Sequence, residues 1–152
     1  MGYSRIKNLL NSNMNIKQSS ALLLLFLGLS PFILSSCQES IEDRCLREAL
    51  EFTKRRCPVP VDNYTTLDSI SFDKKTLTRK CFYTLKGIGD DPKMLARSNP
   101  KGLLLRQLRN TTALRIYMDA GFNFEYTYFS ESHKGEILFH AIFSPDDYRR
   151  NP

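Results

Sequence analysis

The chain predicts an α+β fold in helix–hairpin–helix–hairpin order: two αββ units forming one four-stranded antiparallel sheet with the helices on one face. Three observations predict it. Apolar residues recur at helical spacing between residues 41 and 56. Strand-like runs follow in pairs, at 65–72 with 76–85 and again at 122–129 with 136–143. Each pair is preceded by a helical segment that opens on a capping residue, at similar spacing in the two halves.

The first segment lies outside that fold. Arg5, Lys7 and Lys17 make it positive, and no acidic residue occurs before Glu39. Residues 21–29 are an apolar core, shorter than the roughly 20 residues of a comfortable membrane span. This is the form of a secretory signal peptide. It ends in Leu34-Ser35-Ser36-Cys37, a bacterial lipobox: a branched apolar residue, two small residues and a cysteine that becomes lipidated. The expected organisation is a signal peptide over 1–36, a lipidated tether over 37–40, one domain over 41–145 and a polar tail over 146–152. Met14 is a second candidate start, giving a signal of ordinary length. The alternative is an uncleaved anchor that ends in Ser-Ser-Cys by chance.

Cleavage before Cys37 leaves 116 residues, enough for one core and not for two. With Arg5, Lys7 and Lys17 removed, 19 basic residues face 16 acidic ones, a net charge of +3. That balance predicts no nucleic-acid partner, which would call for basic residues concentrated on one element with stacking aromatics between them. Lys54-Arg55-Arg56 is expected as a solvated helix end that suits the dipole, and Arg149-Arg150 as part of the tail.

Ser40 is the expected N-cap of a first helix over 41–56, with Asp43 in its first turn and Ile41, Cys45, Ala49 and Phe52 on its apolar stripe. Pro58 stops it and Pro60 keeps the next stretch extended. Asp73-Lys74-Lys75 joins the first two strands. On the second of these, Leu77, Cys81, Tyr83 and Leu85 share a face. Arg79 sits among the apolar residues of that face and Phe82 on the polar side, so either face could be the inner one. Asn99-Pro100 is a cap followed by proline at the first helical position. Leu103, Leu104 and Leu108 mark the stripe of that helix; Asn110-Thr111-Thr112 interrupts it, and a short helix over 113–120 ends at Gly121 in a left-handed conformation. Phe122, Phe124, Tyr126 and Tyr128 then alternate with polar residues, and Ile137, Phe139, Ala141 and Phe143 share a face of the last strand.

Lipidation of Cys37 leaves Cys45, Cys57 and Cys81, an odd set that allows one disulfide at most. On one helix Cys45 and Cys57 would stand about 18 Å apart, beyond the ~7 Å that a bond tolerates. Any bond therefore joins Cys81 to Cys57 or to Cys45. Cys57–Cys81 is the favoured pair, and three buried thiols are the alternative.

The block Cys57-Pro58-Val59-Pro60-Val61-Asp62, continued as Thr65-Thr66-Leu67-Asp68-Ser69-Ile70, resembles one in a group of small secreted or lipid-anchored bacterial proteins with no assigned function. In that group a strand of Leu-Thr-Tyr-x-Tyr type follows. Here the strand over 77–85 has Arg79 and Cys81 where tyrosines are expected. Leu114-Arg115, then Met118-Asp119-Ala120-Gly121, Tyr126, Tyr128 and Gly135, are similar to the group's second half, so the resemblance spans most of 45–143. It implies the αββ–αββ fold and supplies no active site. By their own chemistry Asp62, Asp68 and Asp119 read as turn-making carboxylates. If Asp62, Asp68 and Arg115 converged in one concavity, they would read as ligand contacts instead.

No residue pattern marks a catalytic centre, a metal site or a cofactor site. His133 falls in a turn and His140 on a strand, and Asp90-Asp91 and Asp146-Asp147 lack the six to eight oxygens of a calcium site. The sequence therefore predicts a cell-envelope protein held to the membrane by a diacylglyceryl and acyl (palmitate-type) anchor, with a protein or envelope polymer as partner. It reads as a non-catalytic binding or accessory module, with aromatic residues of the last hairpin as exposed anchors. A small hydrolase or thiol-active enzyme using Cys45, Cys57 or Cys81 is the alternative. Gln38 after the lipidated cysteine leans toward the outer membrane.

Overall fold

The computed structural model describes residues 38–149. Cys37, the rest of the lipobox (Leu34, Ser35, Ser36) and the signal segment lie outside the described residues. Among the described residues no helix is long and apolar enough to cross a membrane.

Helix α1 (Ile41–Arg56) begins where expected. Ser40 Oγ accepts the Asp43 N–H at 3.0 Å and donates to Asp43 Oδ2 at 2.7 Å, closing a cap. Its buried stripe is Cys45 and Ala49, laid against the sheet, while Leu50 and Phe52 are exposed. Past the cis Cys57–Pro58 peptide, Val59–Pro60 forms β1, a two-residue edge strand on β2 (Thr65–Asp73). Beyond β1 that edge is closed by a side chain. Thr53 Oγ1 accepts the Ile70 N–H and donates to the Ile70 carbonyl, both at 2.8 Å, giving β2 the partner a longer neighbour would supply.

Strand β3 (Thr78–Leu85) pairs antiparallel with β2, with a bulge between Leu67 and Ser69 that turns both Leu67 and Ile70 into the core. The connection to β4 (Asn123–Ser130) holds α2 (Pro92–Arg97), α3 (Pro100–Asn110) and α4 (Arg115–Asp119), with 3-10 turns at Gly87–Asp90 and Thr112–Leu114. Asn99 caps α3 by accepting the Gly102 N–H, and Gly121 (φ 81°) ends α4 in the left-handed region. Strand β5 (Ile137–Phe143) pairs antiparallel with β4.

The sheet has five strands in the order β1-β2-β3-β4-β5, and its centre is parallel: Thr78 lies beside Asn123 and Leu85 beside Ser130. This corrects the expected four-stranded antiparallel sheet. The two hairpins are antiparallel internally, but the helical connection carries the chain back along the sheet. β4 therefore starts level with the start of β3, as a crossover connection requires of a parallel pair.

The helices cover one face. Phe122, Phe124, Phe143, Leu108 and Cys45 are its most buried side chains. The open question on β3 resolves with Cys81 and Leu85 buried toward the helices, alongside the partly buried Arg79 and Tyr83. Lys80 and Phe82 take the opposite face, where Lys80 reaches Glu125 and Phe82 stacks on Phe129. A register shift between Tyr128 and Phe129 leaves Ile137 exposed instead of on the inward face of β5. The stretch read as a polar tail begins as a helical turn, α5 (Pro145–Arg149). Its Tyr148 is buried edge-on against Phe124 and donates its hydroxyl to the Met118 and Phe122 carbonyls at 3.2 and 2.9 Å.

Candidate functional site

The helix layer does not close tightly on the sheet. Between α2–α3 and the ends of the strands lies a cavity of about 460 Å³. Leu85, Tyr128 and Phe139 form its floor, Leu95, Leu103 and Leu104 its roof. The turn after β1 is held open beside it by Asp62, whose Oδ1 accepts the Tyr64 N–H at 2.8 Å. The α3 start at Asn99 sets the helix so that Leu104 and Leu108 are buried and Leu103 stays half exposed. Ile88 and Met94 stand at the rim with 61% and 50% of their surface open.

A second cavity of about 270 Å³ shares Asp62, Thr65, Leu104, Gln107 and Tyr128 with the first and continues inward to Arg79, Tyr83 and Tyr126. A third, about 330 Å³, adjoins it at Arg79, Cys81, Tyr83 and Leu114 and runs between α1 and α4. Together they line the inner face of β2–β4 from an apolar mouth to a polar interior. Tyr83 stacks on Tyr128 with ring centroids 4.7 Å apart. Burial raises the Tyr83, Tyr126 and Tyr128 phenols well above their ordinary value, so they stay protonated donors.

Cys45, Cys57 and Cys81 are free thiols in this structure, the first and last buried. Burial pushes the Cys45 thiol up to about 11, although Arg79 pulls it down, and raises Cys57 and Cys81. Arg79 Nη1 lies 3.0 Å from Cys81 Sγ. None of the three is poised as a thiolate.

The carboxylates flagged in the sequence do not converge. Asp62 lines the groove, whereas Asp68 accepts from Thr84 Oγ1 at 2.8 Å and neither it nor Arg115 lines a cavity described above. Asp91 caps α2, and Asp90 Oδ2 accepts the Ser132 N–H. His140 pairs with Glu125 at 3.1 Å and His133 with the Ser132 hydroxyl at 2.9 Å. No group of three or more metal-ligating side chains occurs among the described residues. The aromatic rings of the last hairpin mostly face inward; Tyr128 and Phe139 contribute to the groove and not to an open surface. Sequence reading marked Arg79 as an anomaly without reaching the groove, because the walls come from strands β2–β5, helices α2 and α3 and the loops between them. The signal was there: an arginine on an otherwise apolar strand face.

The arrangement defines an α+β module with a recess between helices and sheet that runs from an apolar mouth to a more polar interior. Two solved structures share the fold. One is a Pseudomonas aeruginosa protein described as secreted (TM-score 0.55, 13% identity, 72% of this chain and 98% of that one). The other is the pilotin EpsS of the Vibrio vulnificus type 2 secretion system (TM-score 0.55, 12% identity, 72% of this chain and 93% of that one). No curated protein sequence matches. Over residues 40–139 the chain belongs to the family defined by the domain of unknown function DUF8479.

Proposed function

We propose that the protein is a non-catalytic binding module of the cell envelope, tethered by acyl chains on Cys37, that holds an apolar segment of a partner polypeptide in the groove beneath α2 and α3. The observation that carries this reading is the 460 Å³ cavity with an apolar floor and roof and a rim of exposed Ile88, Met94 and Leu103. Apolar side chains concentrated at a concave mouth are the ordinary signature of a recognition site. The pilotin fold makes a component of an envelope secretion machine the first class of partner to test. The protonated, buried thiols weigh against thiol catalysis.

The lipid anchor is tested by labelling with palmitate. The wild-type protein takes up label and sediments with membranes, the outer membrane on the Gln38 reading, and Cys37→Ala does neither. Label retained by Cys37→Ala would refute the anchor. The groove is tested by capture from solubilised envelopes. Met94→Glu and Leu103→Glu, both at half-exposed positions, reduce retention of the partner about tenfold without changing the melting temperature. Undiminished retention would place the binding surface elsewhere.

A further inference from the structure

Arg79 is a permanent cation set into the inner end of the groove, where it lines both interior cavities. A guanidinium offers five donors. Among the described residues Arg79 forms no ion pair, and its one hydrogen bond goes to a thiol, Cys81, an acceptor of low strength. Beside it in the same recess, the Tyr126 and Tyr128 hydroxyls have no hydrogen-bond partner among the described residues. Two acidic side chains line these cavities and both are engaged: Asp62 accepts the Tyr64 N–H, and Glu48 pairs with Arg44 and accepts the Tyr117 hydroxyl. A partly buried cation with spare donors favours a counter-charge that can reach it.

The helices over the groove point the same way. From Pro92 to Met118 the chain carries Lys93, Arg97, Lys101, Arg106, Arg109 and Arg115, and no aspartate or glutamate. Arg109 is engaged with the Asp147 carbonyl. Although α1 carries Glu42, Asp43, Glu48 and Glu51 and α4 ends on Asp119, α2 and α3 above the groove are of a single sign, which favours an acidic partner and repels a basic one.

We propose that Arg79 is the anchor for a carboxylate carried by the polypeptide that occupies the groove, either an aspartate or glutamate side chain or a free C-terminus. The planar guanidinium takes the carboxylate oxygens as a bidentate pair, the tyrosine hydroxyls donate to them from the side, and the apolar mouth holds the flanking residues. This inference rests on the groove being the binding site and adds the charge its occupant must carry.

The test uses the full protein in detergent micelles, labelled with ¹⁵N-arginine and ¹³C-methyl methionine and leucine. The probes are N-acetyl-leucine (a terminal carboxylate), N-acetyl-Leu-Glu-amide (a side-chain carboxylate) and N-acetyl-leucinamide (uncharged). Both carboxylates are expected to shift the Arg79 Nε–H resonance saturably and to bind at least tenfold tighter than the amide; the tighter of the two identifies the source. Arg79→Gln abolishes that preference and Arg79→Lys keeps part of it. Should Arg79→Gln fail to fold, the wild-type Arg79 resonance alone decides. If all three probes shift the Met94 and Leu104 methyls equally while Arg79 stays still, the groove stands and the carboxylate proposal falls. If none shifts those methyls, the groove reading falls with it. Decanoate binding more tightly than either peptide would overturn the polypeptide occupant.

Discussion

Tyr148 carries its phenol into the core and divides the hydroxyl between the carbonyls of Met118 and Phe122, the residues on either side of the turn into β4. Replacing it with phenylalanine keeps the ring against Phe124 and leaves those bonds unmade. The expected cost is about 1–2 kcal/mol, read as a lower denaturation midpoint with an unchanged slope. Cys45 makes a pH-dependent contribution. Its native thiol, raised from 9.0 to about 11, keeps a proton that the unfolded chain releases. The stability gained is fully present below pH 9 and is lost as pH rises toward 11, on the order of 3 kcal/mol in all. Wild type should therefore lose stability between pH 8.5 and 10.5 more steeply than Cys45→Ala. Parallel curves would mean that the thiol is not buried as described.

At the scale of elements, what was legible in the sequence was what local chemistry decides. Ser40 with Asp43 starts α1, Asn99-Pro100 starts α3, and Gly121 ends α4; each is a cap whose geometry lies within four residues. Gly121→Ala forces a Cβ onto φ 81° and should cost about 1 kcal/mol or more. Calorimetry showing no loss would mean the turn can rearrange. What stayed hidden depends on distant partners. The parallel pairing of β3 with β4 follows from where the helices return the chain, and Val59–Pro60 becomes a strand only because Thr66 and Leu67 are already paired. Thr53 reads as a helix residue, yet its hydroxyl closes the edge of β2 at Ile70. Thr53→Val keeps the shape and strips both bonds, so the Ile70 amide should lose protection in hydrogen exchange, with about 1–2 kcal/mol lost overall. Protection equal to wild type would show that another group covers that edge.

Over the whole molecule, a sheet made of two hairpins has its helices on one face and leaves a groove where α2 and α3 stand off from it. The site was only partly legible for the same reason. Arg79 could be marked as misplaced from alternation alone, but its meeting with Tyr126, Tyr128 and Gln107 is a product of the crossover. The sheet's other face is occupied by the Phe82–Phe129 stack and the contacts of Glu125 with Lys80 and His140, with Ile142 exposed beside them. The two faces can therefore be compared directly as binding surfaces. A photo-crosslinking amino acid placed at Met94, on the rim of the groove, or at Ile142, on the open sheet face, of the full-length protein in intact envelopes makes the comparison. The account predicts one discrete polypeptide adduct from position 94 and none from position 142. Adducts from 142 alone, or from neither position, would contradict it.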